Sequence, residues 1–188
     1  LCLNISIASN ALQAIVVLPT RELAQQGEAV LKQMKTGIRA LSLHGGRPAM
    51  NEHRLLKETQ PHIIFTTPGR LNDHIRKNNI STHFVTTLVL DEFDKCLEFG
   101  FLGEMQKIIT ACRNVQQYLF TSATFAEEAR LFLEENFKHT VKPLSYLNFL
   151  EKEKSAEQLQ IKYLHSPSND KLESAHQLLS LLGGAPTI

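Results

Sequence analysis

Two carboxylates stand side by side in the run Asp91-Glu92-Phe93-Asp94, directly after the mostly apolar stretch from Val85 to Leu90. A carboxylate at the C-terminal end of a buried strand can reach a Mg²⁺ that rides on nucleotide phosphates, usually through water. A second carboxylate beside it can orient or deprotonate an attacking water. Two acids after a strand can equally open a solvated loop, so the run alone leaves both readings standing. Four other clusters have unusual composition: Pro19-Thr20-Arg21, Gly45-Gly46, Thr67-Pro68-Gly69-Arg70 and Ser122-Ala123-Thr124. Thr20 and Thr67 each precede a helical pattern, where free backbone N–H groups and the helix dipole favour a phosphate. Gly46 and Gly69 allow close backbone approach. Arg21 and Arg70 can fork onto phosphate oxygens. The blander alternatives are that Arg21 and Glu22 pair on a helix surface, and that Ser122 and Thr124 form only a turn and a cap. His44 reads as a polar strand-end residue and not as a catalyst.

The elements that must position these clusters follow from periodicity. Ala14–Leu18, Ile63–Phe65 and Leu88–Leu90 are short apolar runs, Ala40–His44 and Tyr118–Thr121 are less pure ones, and near-continuous apolar strands suit burial on both faces. Helical spacing groups Leu23, Val30, Leu31 and Met34 on one face. It does the same for Leu97, Phe101, Leu102, Met105, Ile108, Ile109 and Cys112, and for Leu172, Ala175, Leu178, Leu179 and Leu182. Phe99 and Phe101 are expected to pack locally. Thr67-Pro68 is an N-cap followed by a first-turn proline, and Thr124 with Glu127 fits a capping box. Alternating strands and helices predict an open, mostly parallel α/β sheet with helices on both faces. In such a sheet ligands sit where strands end and helices begin, which is where the five clusters fall.

Residues 1–140 are expected to form the first domain, 141–157 a linker and 158–188 the start of a second α/β unit. Within them, a short strand is expected near Leu144–Leu147, a strand over Gln158–Leu164 and a helix over Asp170–Leu182. Residues 1–9 fit a strand or the end of a helix. The formal net charge of +1 supplies no global basic field, so any nucleic-acid contact must be local. No apolar run reaches the ~18 residues of a membrane span. Three cysteines without CxxC spacing favour reduced thiols and an intracellular, cytoplasmic protein. Eight histidines without an HExxH pattern give no zinc site.

The ordered set of clusters resembles the DEAD-box RNA helicases. Pro19-Thr20-Arg21-Glu22-Leu23-Ala24, Gly45-Gly46, Thr67-Pro68-Gly69-Arg70, Asp91-Glu92-Phe93-Asp94 and Ser122-Ala123-Thr124 follow the family's motifs in order and approximate spacing. The resemblance implies a RecA-like domain, incomplete, followed by the opening of a second one. It implies ATP with Mg²⁺ as cofactor and RNA as a largely backbone-bound, sequence-independent partner. Asp91 would hold Mg²⁺ through water, Glu92 would activate the hydrolytic water, and Asp94 would bond to Ser122 and Thr124. Thr20, Arg21, Gly45, Gly46, Thr67, Gly69 and Arg70 would lie along RNA.

Two departures stand out. Phe93 replaces the family's alanine and must find room beside the nucleotide site or in the adjacent core. No G-x-x-x-x-G-K-[ST] run occurs, and no glycine is followed by lysine, so the phosphate-loop ligands are absent from this chain. That pattern suggests truncation, with a strand missing from the sheet and a chain inactive by itself. The alternative is a non-catalytic RNA- or protein-binding RecA-like module.

Overall fold

The computed structural model describes residues 5–46, 49–124, 127–137, 144–149, 165–166 and 170–182. Five short strands form: β1 (Ala14–Val17), β2 (Ala40–Leu43), β3 (Ile63–Thr66), β4 (Thr87–Leu90) and β5 (Gln117–Phe120). They make one parallel sheet in the order β2-β3-β1-β4-β5. Every residue of β1, β2 and β3 is buried, which requires cover on both faces of the sheet. The register places Val17 beside both Thr66 and Leu90, Leu43 beside Thr66, and Leu90 beside Phe120. All five strands therefore end at one level, and the turns that follow them share one rim.

Between the strands run α1 (Arg21–Gln33), α2 (Ala49–Thr59), α3 (Pro68–Arg76), α4 (Phe93–Glu98) and α5 (Leu102–Ala111), with α6 (Glu127–Phe137) after β5. α1 lies tightly on the sheet: a Cβ at Gly27 would sit 2.5 Å from the Phe65 ring. Ala24 and Leu31 carry its buried face, whereas Val30 and Met34, expected beside them, are exposed. The single apolar face expected from Leu97 to Cys112 is split between two helices. Gly100 adopts φ +79, which ends α4 and restarts the phase, so Met105, Ile108 and Cys112 are buried and Leu102 is not. Phe99 and Phe101 do pack on each other edge to face, 6.4 Å apart.

The chain divides into two compact units, Leu1–Pro143 and Leu144–Ile188. In the second, α7 (Lys171–Leu182) forms as expected, but Leu172, Leu178 and Leu179 of its apolar stripe are exposed. Residues 144–149 form no strand: they have no ladder partner among the described residues, and Tyr146 and Leu147 are exposed. The strand expected over 158–164 lies outside the described residues. In the first unit, residues 5–9 form neither strand nor helix; they turn at Ser6, whose carbonyl accepts from the Ser9 N–H at 3.3 Å. Cys96 and Cys112 are free and buried. No helix among the described residues is long and apolar enough to cross a membrane.

Candidate functional site

All five clusters lie on the rim, divided between its two sides. Thr20 and Arg21 follow β1, Gly45-Gly46 follow β2, and Thr67–Arg70 follow β3. Asp91–Asp94 follow β4, and Ser122–Thr124 follow β5.

The acidic side is knitted by a residue the sequence reading passed over. Thr121 donates its hydroxyl to Asp91 Oδ1 and accepts from the Glu92 backbone N–H at 3.2 Å. Its carbonyl also accepts from the Phe93 N–H at 2.9 Å. Its position next to Ser122, on the strand that should neighbour β4, was the available signal. Glu92 is held at φ 48 as the cap residue of α4, a left-handed conformation unusual for a non-glycine residue. This turn puts Asp91 and Glu92 at the strand end, both half-buried.

Asp94 turns inward and is buried. Its Oδ2 accepts from Thr124 twice, from the hydroxyl at 2.9 Å and from the backbone N–H at 3.2 Å. The Ser122 hydroxyl donates to the Thr124 carbonyl and lies close enough to Asp94 to favour its charged form. Asp94 Oδ1 has no geometrically sound hydrogen-bond partner among the described residues. Burial opposes ionisation of Asp94, but the Thr124 hydroxyl, the Lys95 N–H and the nearby Ser122 outweigh it and hold the carboxyl below its usual range. The reciprocal bond of a capping box is not made: the Thr124 backbone N–H goes to Asp94, and Glu127 pairs with Arg130. Burial, with help from Asp91, Glu92 and Asp94, pushes the Cys96 thiol up to about 12, so it is no nucleophile.

Phe93 has found its room in the adjacent core. Its ring is buried, 5.5 Å from Phe120 and 5.2 Å from Phe132. Phe120 in turn packs on Phe137, and Phe137 on Tyr118. The aromatic side chain therefore joins α4 to β5 and α6 and does not intrude on the carboxylates.

Across the rim, the Thr20 hydroxyl caps α1 by accepting from the Leu23 N–H at 3.3 Å. Arg21 remains 62% exposed and pairs with Glu22, as the bland reading allowed. Such an exposed pair is weak and easily exchanged for another anion. Gly46 sits at φ +93, and a Cβ there would come 3.5 Å from Arg21 Nη1, so the ends of β1 and β2 converge. Thr67 occupies the cap position of α3 but makes no capping bond. A Cβ at Gly45 or Gly69 would meet open space, and neither has a positive φ. Nothing among the described residues requires glycine at these two positions.

Arg70 differs from expectation. Its guanidinium is only 14% exposed and pairs inward with Glu52, Nε to Oε2 at 3.3 Å. That pairing commits the Nε edge of the guanidinium to the interior. His44 is likewise buried, bonded to Gln25 and to the Gly45 carbonyl.

For a metal, the acidic side offers hard carboxylate oxygens, which suit Mg²⁺. Among the described residues no group of three or more Asp, Glu, His or Cys side chains forms a metal cage. A single carboxylate with water and phosphate completing the shell is an arrangement Mg²⁺ accepts and Zn²⁺ structural sites do not.

An open parallel sheet with acids ending one inner strand, and threonine-, glycine- and arginine-bearing turns ending its neighbours, defines a RecA-like domain. The family model for DEAD/DEAH box helicases matches residues 1–132, and the chain belongs to that family. It is 35% identical over 173 residues to the DEAD-box ATP-dependent RNA helicase CshA of Bacillus cereus (strain ATCC 10987), covering 91% of this chain and 32% of that protein. CshA of Bacillus licheniformis is 34% identical over 180 residues, or 95% of this chain and 36% of that protein. Among solved structures, a DEAD box protein from Methanococcus jannaschii superposes with a TM-score of 0.63 at 28% identity, over 72% of this chain and 37% of that one. Mss116p bound to ssRNA and AMP-PNP superposes with a TM-score of 0.59 at 30% identity, over 68% of this chain and 28% of that one. The chain spans about a third of the length of the curated relatives it matches.

Proposed function

We propose that this chain is the water-activating and RNA-engaging part of an ATP-dependent RNA helicase. The observation that carries the reading is the convergence of all five clusters on one rim, acids on the β4–β5 side and phosphate-seeking turns on the β2–β3–β1 side. Mg²⁺ with ATP would supply charge neutralisation on the transferred phosphoryl group. Asp91, oriented by Thr121, would hold that ion through water. Glu92, fixed by its left-handed turn, would orient the attacking water and take its proton. Asp94 and Thr124 would transmit the state of this pocket to the segment after β5.

On the other side, the α1 N-terminus, the open space over Gly45 and Gly69, and exposed Arg21 would receive a sugar-phosphate backbone. Contacts of this kind carry little sequence information. The chain holds no phosphate-loop sequence, so by itself it is expected to turn over no ATP above background. The buried, reduced Cys96 and Cys112 suit an intracellular setting.

The test is RNA-stimulated ATP hydrolysis by a protein that joins this chain to a phosphate loop. Glu92→Gln should lower turnover by about 10²–10⁴ and leave RNA affinity unchanged. Unchanged turnover in that variant contradicts the proposal.

A further inference from the structure

Glu52 lies on α2, outside the five rim clusters, and is 1% exposed. Its carboxylate accepts from donors on two other segments. Oε1 takes the His44 backbone N–H at 3.0 Å. Oε2 takes His74 Nε2 at 2.8 Å and faces Arg70 Nε at 3.3 Å. His74 Nδ1 lies 3.2 Å from the Asn79 side-chain nitrogen, a donor, so Nδ1 accepts and Nε2 carries the hydrogen given to Glu52. A fixed positive charge faces Glu52 from Arg70. His44 extends the chain of bonds. Its Nδ1 is 2.9 Å from the Gly45 carbonyl, and its Nε2 is 2.9 Å from Gln25 Nε2 on α1.

One buried carboxylate thus ties the turn after β2 to the first turns of α3, with α1 reached through His44. A buried charge with three donors is stable only while all three are present. An amide in its place would turn its own NH₂ toward at least one of these donors.

We propose that Glu52 is a positioning residue for RNA binding. It fixes the Gly45-Gly46 turn and the start of α3 relative to each other before a phosphate chain arrives. The inference rests on the RNA reading above. Preorganisation of this kind raises affinity by removing the cost of ordering two loops on binding.

A control is built into the same strand. Ser42, two residues before His44 on edge strand β2, has its backbone N–H satisfied by Glu28 Oε2 at 3.0 Å. Glu28 caps the edge as Glu52 does but reaches none of the rim turns. The test is binding of a short fluorescein-labelled oligouridylate to the chain at low salt, by anisotropy, alongside the urea unfolding midpoint. Glu52→Gln should weaken binding by about fivefold or more, the worth of one buried hydrogen bond. Glu28→Gln should lower the unfolding midpoint and leave affinity unchanged.

Two variants keep the test decisive if Glu52→Gln does not fold. His74→Gln, which can still donate to Oε2, should bind like the wild type, and His74→Leu should bind more weakly. Equal affinity of Glu52→Gln and wild type, equal losses in the Glu28 and Glu52 variants, or equal affinity of both His74 variants overturns the inference. Absence of any binding by the wild type overturns the RNA reading itself, and this inference with it.

Discussion

On the β1, β2 and β3 side of the rim the polar groups that organise the turns are buried. Glu52, His44 and His74 lie beneath the surface with their bonds directed at one another. On the β4 and β5 side the order is reversed: Asp91 and Glu92 are half-exposed, and only Asp94 turns into the core. The first side is rigid below and offers backbone to a ligand above. The second offers side chains, braced from beneath by an apolar aromatic cluster. A surface that grips a polymer through its backbone gains from fixed main-chain positions. A surface that manages water and a metal needs carboxylates that remain partly solvated and ionised.

If the acidic side is braced by packing, removing that packing should have the largest effect on stability. Phe93→Ala deletes a ring that touches both Phe120 and Phe132, and is expected to cost about 3–5 kcal/mol in a urea titration. A loss below ~1 kcal/mol would mean that the cluster collapses freely and braces nothing.

That cluster also shows how far the sequence could be read. β1, β2 and β3 were legible because each is a short apolar run buried on both faces, whereas β5, at the sheet edge, departs from the two-sided burial expected of it and leaves Leu119 exposed. Asp91, Glu92 and Asp94 were legible because they fall within four consecutive positions at a strand end. Two features were not. The helix break at Gly100 depends on a positive φ that an apolar pattern spanning the glycine does not reveal. The Glu52 network joins residues eight and twenty-two positions apart and buries polar groups where pattern reasoning expects apolar ones. The signal was present: Glu52 and Leu56 are one turn apart on α2 and both are buried, so Glu52 falls on the core-facing side of its helix. The inward pairing of Arg70 with Glu52 was hidden for the same reason, since its acceptor lies on another helix.

A medium effect should separate the two sides by pH. The folded-state carboxyl of Asp94 is held below its ordinary value of 3.8. A depressed carboxyl stabilises the fold fully above the unfolded value, and the contribution is lost as pH falls through the folded one. Thr124→Val, which removes the hydroxyl donor to Asp94, should lower the unfolding midpoint at neutral pH. The difference from wild type should shrink once pH falls below about 4. A difference that persists unchanged into acid would show that Thr124 acts through packing and not through the carboxylate.

The smallest expected effect concerns Arg21. Arg21→Ala should reduce the slope of log affinity for single-stranded RNA against log salt by about 0.7, the value for one phosphate contact. Its unfolding midpoint should barely move, since the pair with Glu22 is exposed. Arg70→Ala should do the opposite, lowering the midpoint by leaving Glu52 uncompensated. Equal salt slopes in wild type and Arg21→Ala would remove Arg21 from the interface.

The division of the rim is tested most directly by backbone amide chemical shifts of the chain during titration with a short single-stranded oligoribonucleotide at low salt. The predicted result is perturbation of Arg21, Gly46 and Gly69, with Asp91, Glu92 and Asp94 left in place. Perturbation centred on the β4 and β5 ends, or spread away from the rim altogether, would contradict it.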